Sequence, residues 1–164
     1  MTSHLPASTK PNSTLILWRI SAVVWAAVIF YLSTAAFAEG TSQLLLTRAL
    51  AFIHLTLSPP AFNKVHTAVR KLAHLAEYGM FSVLLYRSLP IQGRLGGRRQ
   101  KVFVCVLLAA AYSLTDEFHQ LFVAGRHASI RDCAVDSAGA ALAMLLLVAY
   151  RRWVSYRQAA EGLA

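Results

Sequence analysis

The sequence contains few charged residues. Asp, Glu, Lys and Arg together make up 14% of its 164 residues, whereas 57% are hydrophobic. A soluble domain of this length would cover its core with a charged surface, and this composition excludes such a surface. The apolar residues fall in long blocks separated by short charged loops. The composition therefore predicts a small, single-domain integral membrane protein.

Cysteines and compact metal-binding motifs are also scarce. We expect Cys105 and Cys133 near opposite ends of two different helices, which excludes a disulfide between them. No HExxH motif is present and we predict no cofactor, although carboxylates and imidazoles leave a divalent metal as an open alternative. Lys and Arg lie at the ends of apolar segments, so the net charge of +9 indicates membrane topology and not nucleic-acid binding.

Four apolar segments are long enough to cross a bilayer, which needs about 20 helical residues. A further segment, about 44–57, is short and interrupted by Arg48 and His54, so we expect it to lie in the membrane interface. The predicted fold class is all-α, a polytopic membrane protein with four transmembrane helices plus a short interfacial helix after the first. The predicted spans are 15–38, 65–89, 102–123 and 133–153, with a disordered N-terminus at 1–14 and a tail at 154–164.

Basic residues are unevenly distributed between the connections. They concentrate near the N-terminus, in the second connection and in the C-terminal tail, so we predict that both termini are cytoplasmic in a bacterial-type membrane. Ala36-Phe37-Ala38 also resembles a signal-peptidase site, which leaves cleavage after the first segment as an alternative. The predicted orientation brings the start of span two, the end of span three and the start of span four to the outer leaflet.

Ionisable residues lie within these three spans. An ionisable side chain at membrane depth costs on the order of 3 kcal/mol or more, so such residues are rare unless they pair or serve a function. Helical spacing places most of them on one face of each helix, at the same level. Glu117 is the exception, because it lies about 100° around its helix from Asp116 and the two cannot point straight at the same centre. We therefore predict one outward-facing ligand-binding site made of Lys71, His74, Glu77, Tyr78, Asp116, Glu117, His119, Gln120, Arg126, Asp132 and Asp136.

Structural explanations compete with a shared site at individual positions. Asp132 suits a helix N-cap or first turn, and Lys71 suits an interfacial side chain that extends toward water. His74 and Glu77 could be a hydrogen-bonded pair that joins two helices. The five acids of the site outnumber Lys71, Arg126 and Arg131 by two charges, which calls for protonation, water or a bound cation.

The same residues carry a resemblance to a known family. KxxHxxEY at 71–78, DExHQxFVxGR at 116–126 and DxxxDxxG at 132–139 resemble the VanZ-like family of small membrane proteins. Ala124 stands where that family usually has Pro, and Asp136 stands where Asn is common. The resemblance implies one four-helix membrane domain over 15–153, a place in the cell envelope and similarity to proteins linked to teicoplanin resistance, but it names no reaction.

Three classes of function remain open. The first, which we favour, is a membrane protein that binds a lipid-linked or peptidoglycan-related ligand, or an antibiotic. The second is a membrane-embedded enzyme in which His74 or His119 is the general acid or base and Glu77, Asp116 or Asp136 orients it. The third is a transporter, for which four spans are few unless the protein oligomerises. The expected partners are the lipid bilayer and such a ligand.

Overall fold

The computed structural model describes residues 13–37, 39–90, 97–126 and 128–161, and helices account for most of them. The described part of the chain contains no strand, which confirms the prediction of an all-α protein. A short 3-10 turn at Ala35–Phe37 follows the first helix. The α-helices are α1 (Ser13–Leu32), α2 (Glu39–Phe52), α3 (Pro59–Ser88), α4 (Arg98–Gln120) and α5 (Ile130–Glu161).

Three of these helices, α1, α4 and α5, are long and apolar enough to cross a membrane. α3 has 30 residues, which is sufficient length, but Arg70, Lys71 and Glu77 interrupt its apolar sequence. α2 has only 14 residues. The apolar helices indicate a membrane protein, whereas the crossing of α3 and the interfacial position of α2 stay predictions.

The helices extend differently from the predicted spans. α1 ends at Leu32, whereas its span was predicted to reach residue 38. α2 begins at Glu39, five residues before the predicted start, and α5 continues to Glu161 through most of the predicted tail. Hydropathy marks the apolar part of a helix, whereas backbone hydrogen bonding and turn residues set its ends. The predicted N-terminal disorder lies outside the described residues, except that positions 13 and 14 begin α1.

The four long helices α1, α3, α4 and α5 form a bundle. In this order along the chain, each helix runs opposite to the one before it. The indole Nε1 of Trp25 donates to the Glu77 backbone oxygen at 2.9 Å, and Arg19 donates to the Ser88 backbone oxygen at 3.4 Å. Early residues of α1 therefore lie beside late residues of α3, which makes the two helices antiparallel. α3 and α5 run in the same direction. His74 lies 3.1 Å from Asp136, and Ser82, farther along α3, donates to the backbone oxygen of Ala140, farther along α5, at 3.2 Å.

α3 and α5 approach each other closely at two glycines. A Cβ atom on Gly139 would lie 2.8 Å from the Cα of Leu75, and one on Gly79 would lie 3.3 Å from the Gly139 backbone oxygen. The absence of side chains at these positions lets the two helix backbones touch. This contact brings the polar residues in the first half of α3 against the start of α5.

Buried side chains fill the space between the helices at two levels. Tyr78, Phe81 and Ala140 belong to one cluster, and Cys105 packs with Met144 in the other.

Cys105 and Cys133 are both free thiols, which confirms the expectation that they do not form a disulfide. Large apolar side chains such as Leu145 are exposed on the outside of the bundle, as expected for a surface that faces lipid.

Candidate functional site at the acidic end

The polar end of the bundle lies where α1 and α4 end and where α5 begins. The first half of α3 runs along the same level. The chain has seven acidic residues, and all except Glu161 lie at this end or in α2 beside it. We call it the acidic end, and the end that carries the first turn of α4 is called the basic end.

Asp136 joins three helices at the acidic end. The Nδ1 atom of His74 in α3 lies 3.1 Å from Oδ1 of Asp136, and the hydroxyl of Ser113 in α4 donates to Oδ2 at 2.5 Å. Only 1% of the Asp136 side chain is exposed, whereas 18% of the His74 side chain is exposed. A buried carboxylate is stable in such a setting when its oxygens receive hydrogen bonds. Asp136 therefore holds one ring nitrogen of His74 and lets the other part of the imidazole face the surface.

A cleft of about 140 Å³ lies next to His74, between α1, α2, α3, α4 and the segment that follows α4. Its floor is apolar where the end of α1 lines it. We call it the arginine cleft because two guanidinium groups border it from different sides. Its polar lining consists of Ser33, Ser42, Arg70, His74, Glu77, Asp116, Gln120 and Arg126.

Arg126 is fixed by the end of α1. Its guanidinium donates to the backbone oxygen of Leu32, the last residue of α1, where a helix leaves carbonyl groups unpaired. It also donates to the backbone oxygen of Thr34 at 3.3 Å, which accepts from the Phe37 N–H as well. Gly125, with φ of 75°, supplies the left-handed turn that directs the chain toward this position. Burial, and then the nearby charge of Arg70, lower the pKa of Arg126, yet a guanidinium stays protonated at neutral pH.

Neither arginine of the cleft forms an ion pair with a carboxylate in the described part of the chain, although the charges of Asp116, Glu77 and Glu117 act on Arg126 from farther away. The ion pair that the described residues contain is His74 with Asp136. Arg70 lies one helical turn before His74 and reaches the same cleft as Arg126. The cleft therefore presents two cationic groups whose hydrogen-bonding capacity is not used by an acid.

The carboxylates of the cleft have partners that are not arginines. Oδ2 of Asp116 accepts from the Gln120 amide at 3.1 Å, while its buried Oδ1 has no donor in hydrogen-bonding geometry among the described residues, although the Ser33 hydroxyl lies near this carboxyl group. Glu77 lines the cleft one turn after His74. Among the described residues no three His, Cys, Asp or Glu side chains are grouped to hold a metal ion.

A second cleft of about 110 Å³ adjoins the first and shares Arg70 and His74 with it. We call it the lysine cleft because Lys71 lines it together with Asp132. α2 closes one side, where the hydroxyl of Ser42 lies 2.9 Å from Nε2 of a buried histidine of α3, His66.

A family model described as VanZ/LLP1 matches residues 18–151. The chain belongs to the VanZ/LLP1 family. The match includes every residue that lines the arginine cleft, and it confirms the resemblance found in the sequence. No curated protein and no solved structure matches this VanZ/LLP1 chain.

The predicted site residues of this VanZ/LLP1 protein lie at one end but not in one cavity. Glu117 lines neither cleft, and its Oε2 accepts from the backbone N–H of Ser129 at 2.6 Å. The ring of His119 packs on Phe30 with centroids 4.4 Å apart, and Tyr78 is fully buried. The arginine cleft contains His74, Glu77, Asp116, Gln120 and Arg126; the lysine cleft contains Lys71, His74 and Asp132; and Tyr78, Glu117, His119 and Asp136 line neither cleft.

The structure bears on the structural explanations that the sequence offered for Asp132, His74 and Lys71. Asp132 lies in the first turn of α5, as one alternative proposed, but the Ser129 hydroxyl accepts from the Arg131 N–H at the position of the cap. His74 pairs with Asp136 across helices rather than with Glu77 on its own helix. Lys71 is exposed, in agreement with a side chain that extends toward water.

Arg70 and three serines are among the polar residues of the acidic end that escaped the sequence prediction. Arg70 could have been included from the sequence, because it lies four residues before His74 and seven before Glu77, and this spacing places all three on one helix face. The hydroxyls of Ser33, Ser42 and Ser113 carry no such signal, since serine is common on packed helices. Their roles depend on which neighbours the bundle brings to them.

Proposed function

We propose that the arginine cleft binds the oxyanion of a lipid-linked or peptidoglycan-related molecule of the cell envelope. The observation that supports this most is the approach of Arg70 and Arg126 to one cleft without an ion-paired acid among the described residues. Guanidinium groups bind phosphate and carboxylate oxygens through paired, charge-assisted hydrogen bonds. An oxyanion between these two side chains would accept hydrogen bonds from both.

The acids around the same cleft restrict the ligand further. Glu77 and Asp116 line the cleft beside the arginines, and Oδ1 of Asp116 has an unused acceptor position in the described structure. These oxygens would accept hydrogen bonds from hydroxyl, amide or ammonium groups. The ligand is therefore expected to carry such donors close to its oxyanion, as sugar phosphates and the carboxyl ends of peptides do.

The size of the cleft indicates which part of a ligand it holds. Pockets for drug-sized molecules enclose about 300–1,000 Å³, whereas the arginine cleft encloses about 140 Å³. This volume suits a head group or a terminal residue and not a whole glycopeptide antibiotic. If the protein affects tolerance of glycopeptide antibiotics, it would do so by binding an envelope molecule and not by binding the antibiotic itself.

The proposed position in the cell follows from charge and helix direction. We propose that α3 completes four spans of a bacterial-type cytoplasmic membrane, that α2 lies in the interface, and that both termini are cytoplasmic. The alternating helix directions and the concentration of arginines at the basic end support this arrangement. The arginine cleft would then open at the outer leaflet, where lipid-linked envelope intermediates are used.

Binding of a polyprenyl phosphate to the purified full-length protein in a phosphorus-free detergent tests the proposal. The corresponding neutral polyprenol has the same chain without the oxyanion, so we expect it to bind at least about tenfold more weakly. Arg70→Gln should weaken binding of the phosphate by about tenfold, because it removes one charge-assisted contact. Titration followed by native mass spectrometry measures both affinities.

Lys71→Gln is the matched control. It removes the same charge from the next residue of α3, but Lys71 lines the lysine cleft and not the arginine cleft. We expect an affinity within about threefold of the wild type. Equal binding of the phosphate and the alcohol, or equal losses in the two variants, would contradict an oxyanion site in the arginine cleft.

A membrane-embedded enzyme is the second candidate, and the His74–Asp136 contact favours it. A carboxylate on one ring nitrogen of histidine orients the other nitrogen for proton transfer. If the protein is an enzyme, a polyprenyl diphosphate or a lipid-linked muropeptide incubated with the reconstituted protein will change mass, and His74→Asn will prevent the change. Bound but unaltered substrate would restrict the role to binding.

A further inference from the structure

The basic end of the bundle contains a groove between the first turns of α4 and the last third of α5. We call it the basic groove, and it encloses about 380 Å³. Its lining consists of Arg98, Arg99, Val102, Val148, Arg151 and Arg152. A cavity of about 470 Å³ continues along α5 past Tyr156 and shares three of these arginines. Four guanidinium groups from two helices thus surround an apolar floor.

The charge of this groove is not balanced by acids of the protein. The described residues near it include one carboxylate residue, Glu161 at the end of α5, and no ion pair forms there. Arg151 contacts Tyr86, with 3.3 Å between its Nη1 and the phenol oxygen, while Arg98 and Arg152 are exposed. Guanidinium groups that line one groove repel one another, so an anion bound between them is favourable.

The groove lies at the depth of lipid head groups. Arg151 is about 32 Å beyond Ile130 along the helix axis, at about 1.5 Å per residue, and the hydrocarbon core of a bilayer is about 30 Å thick. Trp153 and Tyr156 are exposed in the same turns, as is typical of residues at a membrane interface. An ion bound here would therefore come from the head-group layer.

We propose that the basic groove binds the head-group phosphate of an anionic phospholipid, with the start of an acyl chain against Val102 and Val148. Arginines from two helices match the phosphate, and the valines match the hydrocarbon next to it. This combination favours a lipid over free phosphate, which has no apolar part. The site is separate from the arginine cleft, since it occupies the opposite end of the same helices.

Native mass spectrometry of the full-length protein with added lipid tests this site. Phosphatidylglycerol and phosphatidylcholine with identical acyl chains differ in net charge, and we expect the first to bind about tenfold more tightly. Arg152→Gln and Arg98→Gln should each weaken phosphatidylglycerol binding by about fivefold to tenfold. Both side chains are exposed, so neither change is expected to unfold the protein, and the unfolding temperature of each variant checks this.

Arg157→Gln is the control on the same helix. Arg157 stacks on Trp153 at 4.5 Å and lines neither cavity, but its substitution removes the same charge. We expect less than a twofold change in affinity. Equal effects of Arg157→Gln and Arg152→Gln would show diffuse surface attraction and overturn the site. Equal binding of the two lipids, or full displacement of lipid by millimolar inorganic phosphate, would also overturn it.

Discussion

Asp136 of α5 and His74 of α3 are joined through Oδ1 and Nδ1 at 3.1 Å, at the border of both clefts. The second carboxylate oxygen of Asp136 receives the Ser113 hydroxyl, so the same side chain also holds α4. One buried carboxyl group therefore sets the positions of three helices and the orientation of the cleft histidine. Its removal should affect both the stability of the bundle and the geometry of the clefts.

Asp136→Ala is expected to lower the free energy of unfolding by about 2–4 kcal/mol, because it leaves Ser113 and His74 without their buried partner. Asp136→Asn keeps an acceptor oxygen and should cost less than about 2 kcal/mol. Reversible unfolding in mixed detergent micelles measures both values. Equal losses in the two variants would show that charge, and not hydrogen bonding, dominates at this position.

The close contact between α3 and α5 makes a second prediction. A Cβ atom on Gly139 would collide with the backbone of Leu75, so Gly139→Ala must separate the helices and should destabilise the protein by about 1–3 kcal/mol. Gly40→Ala in α2 is the control because nothing lies within 4 Å of that position. The control should be neutral or slightly stabilising. Unfolding in mixed micelles measures the stability of both variants. An unchanged stability of Gly139→Ala would contradict the close contact between the backbones of α3 and α5.

The polar end was predictable from the sequence because its residues repeat at helical spacing within apolar segments. His74, Glu77, Asp116 and Arg126 all line the arginine cleft. Helical phase also explains why Glu117 faces elsewhere, since it lies about 100° around the helix from Asp116. The division into two clefts was not predictable. It depends on how α2 and the end of α1 pack over α3, and short hydroxyl side chains give no pattern that reveals such packing.

The contact between α2 and α3 gives a third prediction. Ser42→Ala removes the hydroxyl that lies 2.9 Å from His66 and that also donates to the Glu39 backbone oxygen within α2. The loss of both contacts should speed amide exchange in α2 by at least about fivefold. Thr47→Ala is the control, since its hydroxyl bonds to Gln43 within α2 itself. Hydrogen exchange followed by mass spectrometry reports both variants. Unchanged exchange in Ser42→Ala would mean that other contacts hold α2 over the clefts.

The proposed orientation makes a fourth prediction. A reporter that is active only outside the cytoplasm should be active when it is fused after Val123, at the acidic end, and inactive when it is fused after Gly97, at the basic end. The arginines around the basic groove should remain on the cytoplasmic side. The opposite pattern would move the arginine cleft to the cytoplasmic leaflet and would remove the outer-leaflet ligands from consideration.

Direct contact between a bound phosphate and the cleft arginines tests the central claim most closely. Solid-state NMR of the full-length protein with ¹⁵N-labelled arginine, in a phosphorus-free detergent, detects guanidinium nitrogens within a few ångströms of the phosphorus of a bound polyprenyl phosphate. We predict ¹⁵N–³¹P coupling in the wild type and in Lys71→Gln, and a large decrease in Arg70→Gln. Coupling that persists unchanged in Arg70→Gln, or no coupling with ligand bound, would contradict an oxyanion site in the arginine cleft.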